Sequence, residues 1–194
     1  MQNTEEKAIA SFDEKEIILK CQRGDKQAFG LLVKKYMRRA YFCALAFVAT
    51  HEAALDLSQE AFVRVYKAMK RFDTNRKFFT WYYRILKNLC LNYLRDRTRH
   101  ARPFSEIGEA VVQALPDDGS TALDHLEQAE IRENVWKCLN SLKSHEKEII
   151  ILKDFQDVSY KEIAEMLDCP IGTVMSRLYN ARKALRTELE RYVS

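Results

Sequence analysis

Proline and glycine are scarce in this chain and unevenly placed. Five glycines and three prolines serve 194 residues, and two of each (Pro103, Pro116, Gly108, Gly119) fall between Arg102 and Ser120. A many-stranded sheet needs a turn at every reversal and draws on these residues, so a chain this poor in them is built from long helices. The single cluster marks a break between two helical stretches. The expected architecture is all-α: two small helical domains, residues 13–100 and 122–192, joined by a flexible acidic linker over 101–121. With 47% hydrophobic residues, each half has the material for its own core.

Charge divides the chain at the same place. From Arg76 to Arg102 eight basic residues stand against Asp96 alone, a balance of +7; from Phe104 to Glu133 eight acids stand against Arg132, a balance of −7. The formal net charge of +4 is therefore a cancellation. A basic segment followed by an acidic one suits a polyanion-binding face beside a tether that avoids the same polyanion. On this reading the linker acids Glu106, Glu109, Asp117 and Asp118 discourage binding of that polyanion by the free protein.

Cysteine usage and the amino terminus point to a cytoplasmic protein with no membrane insertion. Cys21, Cys43, Cys90, Cys138 and Cys169 are odd in number and form no C-x-x-C pair, so neither a disulfide framework nor a clustered metal site is expected. The first residues, MQNTEEKAIASF, hold acids and no apolar core of a signal peptide. The longest apolar run, Ala40 to Ala49, is about half a membrane span.

Caps and periodicity place the helices. Asp13 to Glu16 has the form of a capping box before Ile17, Ile18 and Cys21, and Arg23-Gly24-Asp25 ends that helix. A second helix is expected over about 26–48, with Phe29, Leu32, Val33, Tyr36 and Ala40 inward, and a third over about 52–70. A fourth should run from near Asn75 to Arg99. In the second half the expected spans are 122–140, 144–155, a helix opened by the capping box Ser159 to Glu162 and closing at Leu167, and a last helix with Pro170 as its first residue.

Two of these helices carry candidate binding faces. The last two, joined at Asp168 and Cys169, fit a helix-turn-helix. Ile171, Val174, Leu178, Ala181 and Leu185 form the inward stripe of the last helix, and Thr173, Met175, Ser176, Arg177, Tyr179, Asn180, Arg182, Lys183 and Arg186 face away. Such a helix can enter a major groove, its first turns against base edges and its later cations on phosphates. On the fourth helix Arg84, Lys87, Asn88, Leu91 and Arg95 make a mostly cationic stripe amid Phe78, Phe79, Trp81, Tyr82, Tyr83 and Tyr93. Cations beside aromatics suit single-stranded nucleic acid, and equally these rings can pack a helical bundle.

Taken in order, Gly24 to Phe29, Asp56-Leu57-Ser58-Gln59-Glu60-Ala61-Phe62, Phe79-Thr80-Trp81-Tyr82-Tyr83-Arg84-Ile85 with Asn88, Ser159 to Ala164, and Cys169 to Val174 resemble the extracytoplasmic-function (ECF) sigma factors, the short members of the sigma-70 family of bacterial RNA polymerase. The resemblance runs from about Asp13 to Tyr192. It implies that 13–100 is sigma region 2 and 122–192 sigma region 4. It further implies that the third helix docks on the β′ coiled coil of core polymerase through Asp56, Gln59, Glu60 and Phe62, with Phe62 mainly a packing residue. The fourth helix and the loop before it (Arg76, Lys77, Arg84, Lys87, Asn88, Leu91, Arg95) would bind and melt the −10 element as single-stranded DNA. Asn88 matches a position near a flipped base, and Trp81 one that is mainly structural. The loop lacks the glycine common in relatives. Region 4, which would also meet the β flap, would read duplex −35 DNA with Met175, Ser176, Tyr179 and Asn180 facing bases and Arg177, Arg182, Lys183 and Arg186 on phosphates. One well-known subgroup has arginine where Met175 and Asn180 stand, so its −35 sequence is not expected here. An anti-sigma factor is an implied partner.

No catalytic or metal-binding constellation is visible: His51, His100, His125 and His145 are scattered, and no H-E-x-x-H, Walker loop or nucleophile elbow occurs. The chain is expected to be no enzyme and to need no cofactor. The alternative is a stand-alone helix-turn-helix transcriptional regulator, which explains Tyr160 to Tyr179 and leaves the Asp56 to Phe62 motif and the aromatic basic helix without a purpose. A small nuclease would need clustered carboxylates, and the acids here are spread along helix faces or gathered in the linker.

Overall fold

The computed structural model describes residues 13–48, 50–100 and 122–193. Among them are eight α-helices and no strand: α1 Glu14–Gln22, α2 Lys26–Leu45, α3 His51–Ala68, α4 Phe78–His100, α5 Ala122–Ser141, α6 Ser144–Ile150, α7 Tyr160–Leu167 and α8 Ile171–Val193. A 3-10 turn, Met69–Arg71, follows α3, and a π-helical turn, Ile151–Phe155, prolongs α6. The all-α expectation holds. The described residues of 1–44 and 54–100 form one compact unit, and those of 45–53 and 101–194 another. The proposed linker and its acids lie outside the described residues.

In the first unit the chain reverses between α1 and α2 over one glycine. Asp13 caps α1, its Oδ1 accepting from the Lys15 amide at 3.0 Å. Gly24 stands at φ +93, a left-handed conformation that glycine adopts without a Cβ penalty. Its amide donates to the Cys21 carbonyl at 3.0 Å and the next amide, Asp25, to Lys20 at 3.1 Å, the two bonds of a Schellman motif. The Asp25 carboxylate then accepts from the Gln27 and Ala28 amides at 2.8 and 3.0 Å, so the residue that closes α1 also caps α2. Gln22 fastens α1 to the turn after α3 by donating from Nε2 to the carbonyls of Phe72 (2.7 Å) and Met69 (3.3 Å).

The core of this unit is largely aromatic. Phe78, Tyr82 and Tyr83 of α4 are almost fully buried together with Leu32, Leu86 and Met69. Tyr82 packs on Phe62 of α3 with ring centroids 4.4 Å apart and donates from its hydroxyl to the Ser58 carbonyl at 2.9 Å. Burial pushes that phenol well above its ordinary pKa, so it is a neutral hydrogen-bond donor. Ser58 is itself buried and returns its hydroxyl to the Ala54 carbonyl at 2.7 Å. Helix α4 begins at Phe78, three residues later than the sequence suggests. The Asp73 side chain accepts from the Asn75 amide (3.0 Å) and its carbonyl from Arg76 (3.0 Å), which holds 73–76 in a turn before the helix can start.

The second unit packs α5, α6 and α7 against α8, with Leu139, Ile149, Ile150, Ile151, Ile163, Val174 and Ala181 buried. The predicted capping box at α7 forms: Ser159 Oγ accepts from the Glu162 amide and the Glu162 carboxylate from the Ser159 amide, each at 3.3 Å. Asp168 ends α7 in the left-handed region (φ 51), and the Cys169 amide closes the turn on the Ala164 carbonyl at 3.1 Å. Pro170 is the residue before α8 instead of its first: lacking an N–H, it contributes its carbonyl to the amides of Thr173 (2.9 Å) and Val174 (3.2 Å). Ile171 consequently lies in an open first turn, 47% exposed, and is not part of the inward stripe as expected, whereas Val174, Leu178 and Ala181 are, with Leu185 half-buried.

Candidate nucleic-acid interface

Three helix faces carry the residues singled out from sequence. On α3, Asp56, Gln59 and Glu60 are exposed one turn apart, and Glu60 accepts an ion pair from Arg64 at 2.8 Å. Phe62 is buried between Phe29 and Tyr82, so its part is packing and it presents no surface to a partner. Val63, which the sequence reading did not name, falls in the middle of the exposed stripe and is 46% exposed. Its signal was available: it stands seven residues, two helical turns, after Asp56, where a solvated stripe would carry a polar residue.

On α4, Arg84, Asn88, Leu91 and Arg95 are exposed and Lys87 is half-buried, so the stripe read from sequence forms one face. Arg76 and Lys77 are exposed in the turn that precedes it. The aromatics beside this stripe do not share it. Phe79 and Tyr83 are buried, and Phe79 stacks on Tyr36 at 5.3 Å beneath the Arg39 guanidinium, 4.0 Å from the ring. Trp81 is half-buried against Phe72 at 4.7 Å, which is a structural placement. The choice between base platform and bundle packing thus falls to packing for Phe78, Phe79, Trp81, Tyr82 and Tyr83; Tyr93 is half-buried with Arg97 over its ring at 5.9 Å.

On α8 the outward set is exposed from Met175 to Arg186 wherever the inward stripe does not intervene, with Thr173 half-buried. Tyr179 is 70% and Met175 54% exposed. With Tyr160, at the start of α7, they line an open groove of about 850 Å³. Ser176 donates its hydroxyl to the Thr173 carbonyl at 3.1 Å. The cations are not equivalent. Arg182 turns back onto the π turn, Nε donating to Asp154 Oδ2 at 3.1 Å and an Nη to the other carboxylate oxygen, a fork-to-fork pair. Arg186 pairs with Glu190 at 2.8 Å. Arg177 and Lys183 form no ion pair among the described residues and are exposed. The Arg182 pairing joins residues 28 apart in sequence, and no local pattern announces it.

A helix-turn-helix whose second helix is long and cationic, in a chain that carries a second cationic helix in a separate bundle, defines the class of this molecule. Comparison with known proteins narrows it. Residues 32–100 match the family model for Sigma-70 region 2 and residues 132–185 that for Sigma-70, region 4. The RNA polymerase sigma-H factor of Pseudomonas aeruginosa is 33% identical over 184 residues, covering 91% of this chain and 94% of the relative. The ECF RNA polymerase sigma-E factor of Escherichia coli (strain K12) is 31% identical over 179 residues, with 90% and 93% covered. Among solved structures, the sigma factor RpoE in complex with the anti-sigma factor NepR from Bartonella quintana aligns with a TM-score of 0.68 at 25% identity, over 84% of this chain and 96% of that one. CnrH in complex with the cytosolic domain of CnrY aligns with a TM-score of 0.66 at 24% identity, over 92% and 97%, a likeness of fold. The chain belongs to the ECF sigma factors of the sigma-70 family. No helix among the described residues is long and apolar enough to cross a membrane.

Proposed function

We propose that this protein is a promoter-specificity subunit of RNA polymerase: it binds core polymerase, recognises −35 and −10 elements and starts transcription of a signal-specific set of genes, without chemistry of its own. The observation that carries this reading is the presence, in one chain and in family order, of three separately exposed faces: the polar α3 stripe, the cationic α4 stripe and the outward face of α8. A stand-alone regulator uses the last of these and gives the first two no task.

The division of labour follows from the chemistry of each face. Asp56, Gln59 and Glu60 offer acceptors and a carboxylate pair to a basic docking helix of core polymerase, the β′ coiled coil. Arg84, Lys87, Asn88, Leu91 and Arg95, with Arg76 and Lys77 in the loop, hold the −10 strand: the cations follow its phosphates and Asn88 reads an unstacked base on its Watson–Crick edge. On α8, Arg177 and Lys183 take phosphates of the −35 duplex, while Met175, Ser176, Tyr179 and Asn180 face base edges. Region 4 also meets the polymerase β flap. An anti-sigma factor is the regulatory partner, as the RpoE–NepR relative suggests. Cytoplasmic residence follows from work on the polymerase.

Transcription in vitro with core polymerase and genomic DNA, followed by sequencing of transcript starts, tests this reading. Starts that share a −35 and −10 pair and vanish when the protein is omitted are expected. A protein that does not bind core polymerase would overturn it.

A further inference from the structure

We infer that Met175 and Tyr179 read thymine methyl groups, so that the −35 element recognised by this protein contains thymine at the positions they face and is not specified by guanine at the position Met175 faces. The inference rests on the proposed role of region 4 and gives it a sequence.

The two side chains are one turn apart on α8, at i and i+4, and so project on one side of the helix. They are 54% and 70% exposed in the first turns, away from the buried stripe of Val174, Leu178 and Ala181, and line the same open groove. Neither is needed by the core that holds α8 in place. A thioether has no hydrogen to donate, and guanine shows two acceptors, N7 and O6, to the major groove, so Met175 cannot specify it. Cytosine and adenine present amino donors there. The thymine C5-methyl is the single apolar feature of the four base pairs in that groove, and it is what an exposed thioether and ring can bury.

The neighbouring groups leave this apolar reading in command. Ser176 has its hydroxyl hydrogen on the Thr173 carbonyl. Arg182 is held by Asp154 and does not stand ready as a guanine fork, and Arg186 lies about three turns beyond Met175 in an exposed pair with Glu190. Of the base-facing set, Asn180 alone has the amide that pairs with adenine N6 and N7, whose partner base is again thymine.

The test uses the complete protein assembled with core polymerase. A promoter library randomised across the −35 element is selected by open-complex formation, and the winners should carry thymine at fixed positions. Replacing those thymines with deoxyuridine removes the methyl and nothing else; the wild-type complex should weaken about three- to fourfold per methyl. Met175→Ala and Tyr179→Ala should bind the thymine promoter more weakly and lose sensitivity to the replacement at one methyl each. Tyr179→Phe should keep it, since the ring makes the contact. Selected elements without fixed thymine, a wild-type complex indifferent to deoxyuridine, or alanine variants as sensitive as wild type would each overturn the inference. If no member of the library gives an open complex although the proteins assemble, the proposed function itself fails, which is a different result.

Discussion

The pairing of Arg182 with Asp154 competes with a phosphate contact for that arginine, and the competition can be tested by salt. Sequence pattern alone puts Arg182 among the phosphate contacts of α8. In the structure its guanidinium lies across the Asp154 carboxylate, with side chains 51% and 31% exposed, so the pair is screened and contributes ~0.5–1 kcal/mol to the second unit. Arg182→Gln should therefore lower the melting temperature of that unit by about 2–8 °C, on the scale of ~4–8 °C per kcal/mol for a domain of this size. Asp154→Asn should do the same, and the double variant should cost less than the sum of the two. Restoring the pair in reverse, Asp154→Arg with Arg182→Asp, should recover part of the loss. The decisive measurement is the slope of log affinity against log salt for the complex with core polymerase on a −35-dependent promoter. Each phosphate contact contributes about −0.9 to that slope on duplex DNA. Arg182→Gln should leave the slope in place, whereas Lys183→Gln should flatten it by about 0.9. A flattening of about 0.9 for Arg182→Gln would show the guanidinium on DNA and refute the reasoning.

Further outcomes follow from other features. Gly24→Ala forces a left-handed backbone on a residue with a Cβ, and should destabilise the first unit by ~1 kcal/mol in chemical denaturation, although nothing lies within 4 Å of the added carbon. If α3 docks on core polymerase as proposed, Val63→Arg should weaken that binding about tenfold and leave the melting temperature unchanged because the side chain is exposed. Burial pushes the thiols of Cys21 and Cys90 up to about 11 and about 12, with desolvation the main cause. Both are neutral thiols in folded and unfolded chain below about pH 8.5; above it only the unfolded chain ionises, so their stabilising contribution is lost as pH rises toward 11–12. The denaturation midpoint should fall over that range, with a shallower slope in Cys90→Ala. At pH 8 a thiol reagent should label half-buried Cys169 first and Cys21, Cys43, Cys90 and Cys138 only after unfolding.

Local signals were the legible part. Ser159 and Glu162 are three residues apart and satisfy each other, so their cap can be read from the letters; Asp13 caps α1 through the Lys15 amide without the reciprocal bond from Glu16, and the capping of α2 by Asp25 comes from the structure. Asp73-Thr74 reads as a cap for a helix from near Asn75, but the Asp73 carboxylate closes a turn over 73–76 and α4 starts only at Phe78. Ile171 fits the stripe by spacing alone, but as the first residue of α8 it lies at the open end of the helix, in solvent. Among Phe78, Phe79, Trp81, Tyr82 and Tyr83, rings adjacent in sequence point around the whole helix, so spacing could not say which meet a core and which meet DNA. The faces of α3, α4 and α8 were legible as stripes. The pairing of Arg182 with Asp154 was not, since the partner lies on another element.

Tyr82 joins α4 to α3 through one hydroxyl and one ring, inside a core that leaves the outer faces of both helices exposed. The consequence is one of tolerance. On the proposed function, a polymerase docked on the outer face of α3 also aims the outer face of α4, because the link between them is a packed side chain and not a hinge. On that proposal errors in docking would pass to the DNA strand undamped, and the gauge of this small bundle would set how far α4 holds the strand from the enzyme that copies it.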